Sequence, residues 1–139
     1  MIPERVTEEL VELLRGLRTS ASIVLHINHA NEIAGTFIDA LGALARSGVT
    51  LFNQSVLLAG INDDVDALDD LSQRLYENRV LPYYLHLPDR VVGTHHFDVS
   101  ERTGRDLIAA LGARLPGYLV PRLVREVPGL AAKQTVPPA

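Results

Sequence analysis

Helical and strand periodicities alternate along this chain with little between them, and the alternation limits the architectures open to it. Val6, Leu10, Leu13, Leu14 and Leu17 recur at helical spacing, with Thr7 a suitable cap and Glu8 and Glu9 where acids complement the helix dipole. Residues 22–27, Ser-Ile-Val-Leu-His-Ile, form a short apolar, β-branched run that predicts a buried strand. Phe37, Leu41, Leu44 and Ala45 predict a second helix ended by Gly48, and residues 50–58 a second strand. Asn62, Asp63 and Asp64 supply a loop and a cap before a third helix carrying Leu68, Leu71 and Leu75. A third strand is expected over 80–87 and a loop over 88–99. A fourth helix behind Ser100 carries Leu107, Ile108, Leu111 and Leu115, and a fourth strand is expected over 119–127. Residues 128–139 hold three prolines and no periodicity, so the division expected is an α/β body over 1–127 and a proline-rich tail over 128–139 carrying Lys133.

Helices between strands imply a parallel sheet with right-handed crossovers. Four strands do not close an eight-stranded barrel, which takes roughly 250 residues. The chain of 139 residues is therefore either a small open α/β sheet or a half β/α barrel.

Composition removes several functions. There is no cysteine, so disulfides, thiolate zinc sites, cysteine nucleophiles and iron–sulfur ligation within this chain are excluded. No apolar run approaches the ~18 residues of a membrane span, and the first ten residues carry four charges rather than a signal-peptide pattern, so the cytoplasm is the expected location. A net charge of −4 argues against nucleic acid as a partner, although residues 113–139 carry Arg114, Arg122, Arg125 and Lys133 against Glu126 alone. Lys133 is the sole lysine.

In parallel α/β proteins chemistry gathers at the C-terminal ends of the strands, and here those ends are polar: His26, Asn28, His29, Asn31 and Glu32 after the first strand, Asn53 and Gln54 in the second, His86 and Asp89 at the third, Glu126 at the fourth. His26 and His29 have the residue types of a metal pair, but three residues apart on a strand they face opposite sides. Hydrogen bonding of His26 and Asn28 to neighbouring strands is the simpler reading. His95 and His96, adjacent in a loop, are expected to be solvated. Asn62, Asp63 and Asp64 suit a cation, but an acidic cap explains them. Asn53 and Gln54 interrupt an apolar strand, and an unpaired buried amide costs a few kcal/mol, so one or both must meet a ligand or a loop. Lys133 is either a solvated charge or an amine for Schiff-base chemistry, of which pyridoxal phosphate is the common partner.

Taken together, residues 26–32 (His-Ile-Asn-His-Ala-Asn-Glu), 53–64 (Asn-Gln-Ser-Val-Leu-Leu-Ala-Gly-Ile-Asn-Asp-Asp), Pro82-Tyr83-Tyr84 with Asp89, Gly93-Thr-His-His-Phe97 and Pro128-Gly129 with Lys133 resemble the lysine 2,3-aminomutase family in order and spacing. The resemblance runs from about Thr7 to Lys133. Residues 119–129 are closer in wording to the branch that makes β-lysine for modifying elongation factor P. The family are radical S-adenosylmethionine enzymes with an incomplete β/α barrel, a [4Fe–4S] cluster and pyridoxal phosphate. The resemblance implies that Lys133 holds pyridoxal phosphate, that Asp89 and Glu126 bind the distal ammonium of substrate lysine, and that His26 and Gln54 lie beside S-adenosylmethionine. The free-lysine enzymes usually have aspartate where Glu126 stands.

The family's CxxxCxxC cluster motif has no counterpart in a chain without cysteine, and the phosphate-binding arginines also lie in the part this match does not reach. The chain therefore looks like the C-terminal part of such an enzyme, inactive alone, and exposed strand edges predict a homo-oligomer. A non-catalytic, self-associating α/β module, and a small independent enzyme using Lys133 or a His26–His29 metal, are the alternatives.

Overall fold

The computed structural model describes residues 3–18, 20–88, 99–125 and 133–139. Helix α1 spans Glu8–Arg15, α2 Thr36–Arg46, α3 Val65–Glu77 and α4 Glu101–Gly112; strands β1 Ser22–His26, β2 Thr50–Val56, β3 Val80–His86, β4 Arg122–Arg125 and β5 Gln134–Thr135 form one sheet. The helix starts are set by side-chain caps, each satisfying a backbone N–H that the first turn leaves open. Thr7 Oγ1 accepts from Leu10 N at 3.1 Å, Asp64 Oδ1 from Ala67 N at 2.7 Å, and Ser100 Oγ from Thr103 N at 3.1 Å. Gly48, at φ +92°, takes the left-handed turn that returns α2 to the sheet.

The strand order is β1-β2-β3-β4-β5, the first four parallel and β5 antiparallel to β4. Neighbours in the sheet are thus neighbours in the chain, with no reversal of direction such as a doubly wound sheet has. Crossovers of one hand between successive neighbours put their helices on one face. Burial on β2 agrees: Leu51, Asn53 and Ser55 are buried, whereas Phe52, Gln54 and Val56 are half-buried. One face is covered by helices; among the described residues the other is open, with Val24 and His26 exposed, although Val124 at its β4 end is buried.

The covered face holds two apolar clusters. The first joins Leu25 and Ile27 of the β1 end to Phe37, Leu41 and Leu44 of α2, Leu71 and Leu75 of α3, and Leu51 and Val80. The second joins Leu57, Leu85 and Leu123 to Leu68, Ile108, Leu111 and Val136. Helix α4 lies close to the sheet because position 104 is glycine: a Cβ there would stand 3.0 Å from Leu87 Cδ2 and 3.2 Å from Leu123 Cδ2. Among the described residues no helix is long and apolar enough to cross a membrane.

The first three strands end one or two residues short of the sequence expectation, and two departures are larger. The segment expected as strand from residue 119 begins as a 3-10 turn, Gly117–Leu119, and pairs only from Arg122. Pro121, which has no N–H for the ladder, stands between them. The other concerns the expected tail. Gln134–Thr135 adds a fifth strand, Val136 is buried, and the Pro137 carbonyl accepts from Arg105 Nε at 3.0 Å. A two-residue strand is too short to show a period, so only the pairing reveals it.

Candidate functional site

Register assembles the polar residues of the open face. His26 is the register partner of Gln54, Gln54 of Tyr84, and Tyr84 of Arg122, so these four form one row across four parallel strands. The next row toward the strand ends holds Val56, His86 and Val124. His86 Nε2 lies 3.2 Å from Gln54 Oε1. With that oxygen accepting, the imidazole donates from Nε2 and fixes which way the amide faces.

A bulge shapes this face. Asn53 pairs with Pro82 and Gln54 with Tyr84, leaving Tyr83 as the extra residue on β3. The alternation of sides is broken there, and the Tyr83 and Tyr84 rings come to 4.0 Å centroid to centroid. Phe52 stands 5.4 Å from Tyr83, and His86 meets Tyr84 edge-on at 5.9 Å, which makes a continuous row of rings. The Tyr84 phenol is held above its ordinary value by a hydrogen bond with Tyr83, then by burial and the Tyr83 charge, against the opposing pull of Arg122. Its neutral form is therefore the favoured one. The associated stability is present below the ordinary phenol value of about 10 and is lost as pH rises through the raised one.

Strand β5 brings in Lys133. Thr135 stands opposite Val124 and Gln134 opposite Arg125. Directly opposed residues share a face, and successive residues alternate. Thr135 and Lys133 therefore take the open side, while Val136 enters the helix-side cluster. Lys133 Nζ lies 5.6 Å from the Tyr84 ring centroid. A slip of one residue in β5 would reverse every one of these assignments.

Other polar candidates serve the backbone. Asn53, buried on the helix side, accepts from Ile27 N at 2.9 Å and donates to Ile27 O at 2.9 Å and Ser55 Oγ at 3.0 Å. Asn28 Oδ1 accepts from Val56 N, and Asn62, fully buried, accepts from Leu58 N and donates to the carbonyls of Asn28 and Val56. The Asn53–Gln54 pair thus divides: the first amide meets a loop, the second faces the open side. His29 Nδ1 accepts from Asn31 N, while Glu32 accepts from the Asn28 and His29 N–H groups, so this histidine is engaged in its own turn rather than beside His26. Asp63 accepts from Gly60 N and Asp64 caps α3. Among the described residues no three His, Asp or Glu side chains gather as metal ligands.

The structure brings His26, Gln54 and Lys133 to one face. Asp89, three residues beyond the end of β3, and Glu126, the residue after β4, lie outside the described residues, as do His95 and His96. Sequence reasoning did not single out Tyr84 and His86 as partners of Lys133 and Gln54. Their even spacing was visible; the bulge that sets their register was not.

No family model matches the chain. It is 47% identical over 133 residues to an L-lysine 2,3-aminomutase of Escherichia coli K12, covering 96% of this chain and 39% of that protein. It is 46% identical over 129 residues to an L-lysine 2,3-aminomutase of Haemophilus influenzae, covering 93% and 38%. With that of Clostridium subterminale it shares 38% over 138 residues, covering 99% and 33%. The chain thus spans about two-fifths or less of the length of these curated relatives. In fold it is similar to a radical SAM methyltransferase from Sphaerobacter thermophilus, with a TM-score of 0.55 and 18% identity over 89% of this chain and 38% of that one.

Proposed function

The chain is a sequence relative of the L-lysine 2,3-aminomutases along nearly its whole length, and we propose that it carries the part of such an enzyme that holds pyridoxal phosphate and substrate lysine. In this reading the sheet is a C-terminal half of a β/α barrel and its open face is the barrel interior. The observation that carries the reading is that His26, Gln54 and Lys133, all singled out from the sequence, lie on that one face.

The residues suit two of the three groups such an enzyme uses. Lys133, the sole lysine, would hold an aldehyde cofactor through its side-chain amine. Pyridoxal phosphate, when bound, would supply that carbonyl and an electron-withdrawing ring. His26 and Gln54 have the donors and acceptors to hydrogen-bond an adenosyl group, with Gln54 oriented by His86. Asp89 and Glu126 would hold the distal ammonium between two carboxylates. The [4Fe–4S] cluster does not fit: the chain has no thiolate to ligate iron, and no radical step is assigned to it.

Titration with pyridoxal phosphate, followed by visible absorbance, borohydride reduction and peptide mapping, tests the reading. A saturable band mapping to Lys133 and lost in Lys133→Ala is expected. Labelling that is unsaturable or confined to Met1 would overturn it.

A second reading, a self-associating module, draws on the sheet edges. β5 is two residues long and is followed by Pro137 and Pro138, a guarded edge. β1 is five residues, Ser-Ile-Val-Leu-His, without proline or a Lys, Arg, Asp or Glu, and Val24 is 41% exposed. Such an edge invites pairing with a second copy. Light scattering is expected to give a dimer that Val24→Lys dissociates; a monomer at high concentration would contradict it.

A further inference from the structure

We propose that Tyr84 is the positioning residue of Lys133, seating its ammonium over the open face beside Gln54. The inference deepens the reading of Lys133 as the amine for pyridoxal phosphate and rests on it for its functional meaning. Lysine ends a long flexible stem, and holding its head in one place costs rotamer entropy that an attractive contact must offset. The Tyr84 ring offers one: Nζ stands 5.6 Å from its centroid, within the reach of a cation–π attraction.

The seat is itself braced. Tyr83 packs on Tyr84 at 4.0 Å, Phe52 on Tyr83 at 5.4 Å, and His86 meets Tyr84 edge-on. The bulge at Tyr83 makes that brace by turning two consecutive rings together. In register, Tyr84 stands beside Gln54, whose amide His86 engages. A lysine seated on this ring has its reactive nitrogen on the patch that holds the other candidate cofactor residues. Two reacting groups must be brought together before either can act on the other. On β4 Arg122 is the register partner of Tyr84, so a second cation is attached beside the same ring. Removing the ring leaves the two positive groups without the π-face near them.

The test uses the sole lysine as its reporter. Reductive methylation of the full chain with 13C-formaldehyde labels Lys133 and the N-terminal amine only, and dimethyl-lysine keeps its positive charge. The Lys133 methyl resonance is expected to be displaced upfield by the Tyr84 ring current relative to its value in urea. Tyr84→Phe, which keeps the ring, should retain the displacement, and Tyr84→Leu should abolish it. On unmethylated protein, Tyr84→Leu should weaken the saturable pyridoxal phosphate band about two- to fivefold, the range of an exposed cation–π contact, while Tyr84→Phe leaves it within twofold.

Absence of any upfield displacement in the wild-type chain would overturn the proposal, whether or not the leucine variant folds. A displacement that survives in a folded Tyr84→Leu would do the same. A displacement without a saturable cofactor band would support the seating by Tyr84 and sink the cofactor reading instead. A band with no displacement would do the reverse.

Discussion

Reconstituted with iron, sulfide, a reductant, S-adenosylmethionine and pyridoxal phosphate, the chain is expected to form no β-lysine from L-lysine. The reason is one of ligands. A [4Fe–4S] cluster is held by cysteine thiolates, and this sequence contains none. Histidine does not make up the loss: among the described residues no three His, Asp or Glu side chains gather as metal ligands. If the proposed kinship with radical S-adenosylmethionine enzymes holds, the cluster would start the reaction, so the expected effect is a loss of turnover to background rather than a reduction in rate. Chromatography of the amino acid products, with and without the chain, reads it directly. β-Lysine above the background of the cofactors alone would show that the cysteines are dispensable and would overturn the inactivity proposed here.

The second large effect is structural. Asn62 is fully buried and makes three hydrogen bonds: its oxygen accepts from Leu58 N at 2.8 Å, and its amide donates to Asn28 O and Val56 O at 2.9 Å each. It ties the chain leaving β1 to the chain leaving β2, just where α3 begins. Asn62→Ala would leave one N–H and two carbonyls without that partner. These bonds are part-buried, and each group so stranded costs about 1 kcal/mol, the low end for a buried group. A loss of about 3 kcal/mol is expected, against a total stability on the order of 5–15 kcal/mol for a domain. Urea unfolding of the variant measures it. A loss under about 1 kcal/mol would mean that water replaces the amide and that the loop is more open than described. The same loosening should reach His26, which Ile27 and Asn28 follow directly.

What the sequence revealed of this fold follows from length and period. Four helices and four parallel strands were legible because each carries an apolar repeat long enough to count, or a cap such as Thr7, Asp64 or Ser100 at its start. The strand β5 was not, because two residues have no period and its partner β4 lies nine residues back. That omission mattered, since β5 fixes the face to which Lys133 is attached. Gln54 was recognised as out of place in an apolar strand, and it lies on the open face. Its neighbour Asn53 raised the same expectation, and the structure resolves it as a backbone clamp on Ile27. Sequence could not separate the two, because adjacent residues on a strand face opposite ways and nothing in the pattern said which side was covered.

The row of rings shows the other limit. Phe52, Tyr83, Tyr84 and His86 are ordinary strand residues until the bulge between β2 and β3 brings them side by side. A bulge depends on pairing, and pairing depends on residues about thirty positions apart. Periodicity within one strand does not contain that information.

Every role proposed for this chain requires the open face of the sheet to be the ligand face. The most direct test is the map of amide and side-chain shifts in the 15N,13C-labelled chain as pyridoxal phosphate is added. Perturbations are expected at Lys133, Tyr84, Gln54, His86 and His26, with Leu25, Ser55 and Leu123 on the covered side little changed. Perturbations confined to the N-terminus, or centred on the helix layer around α2 and α3, would contradict it.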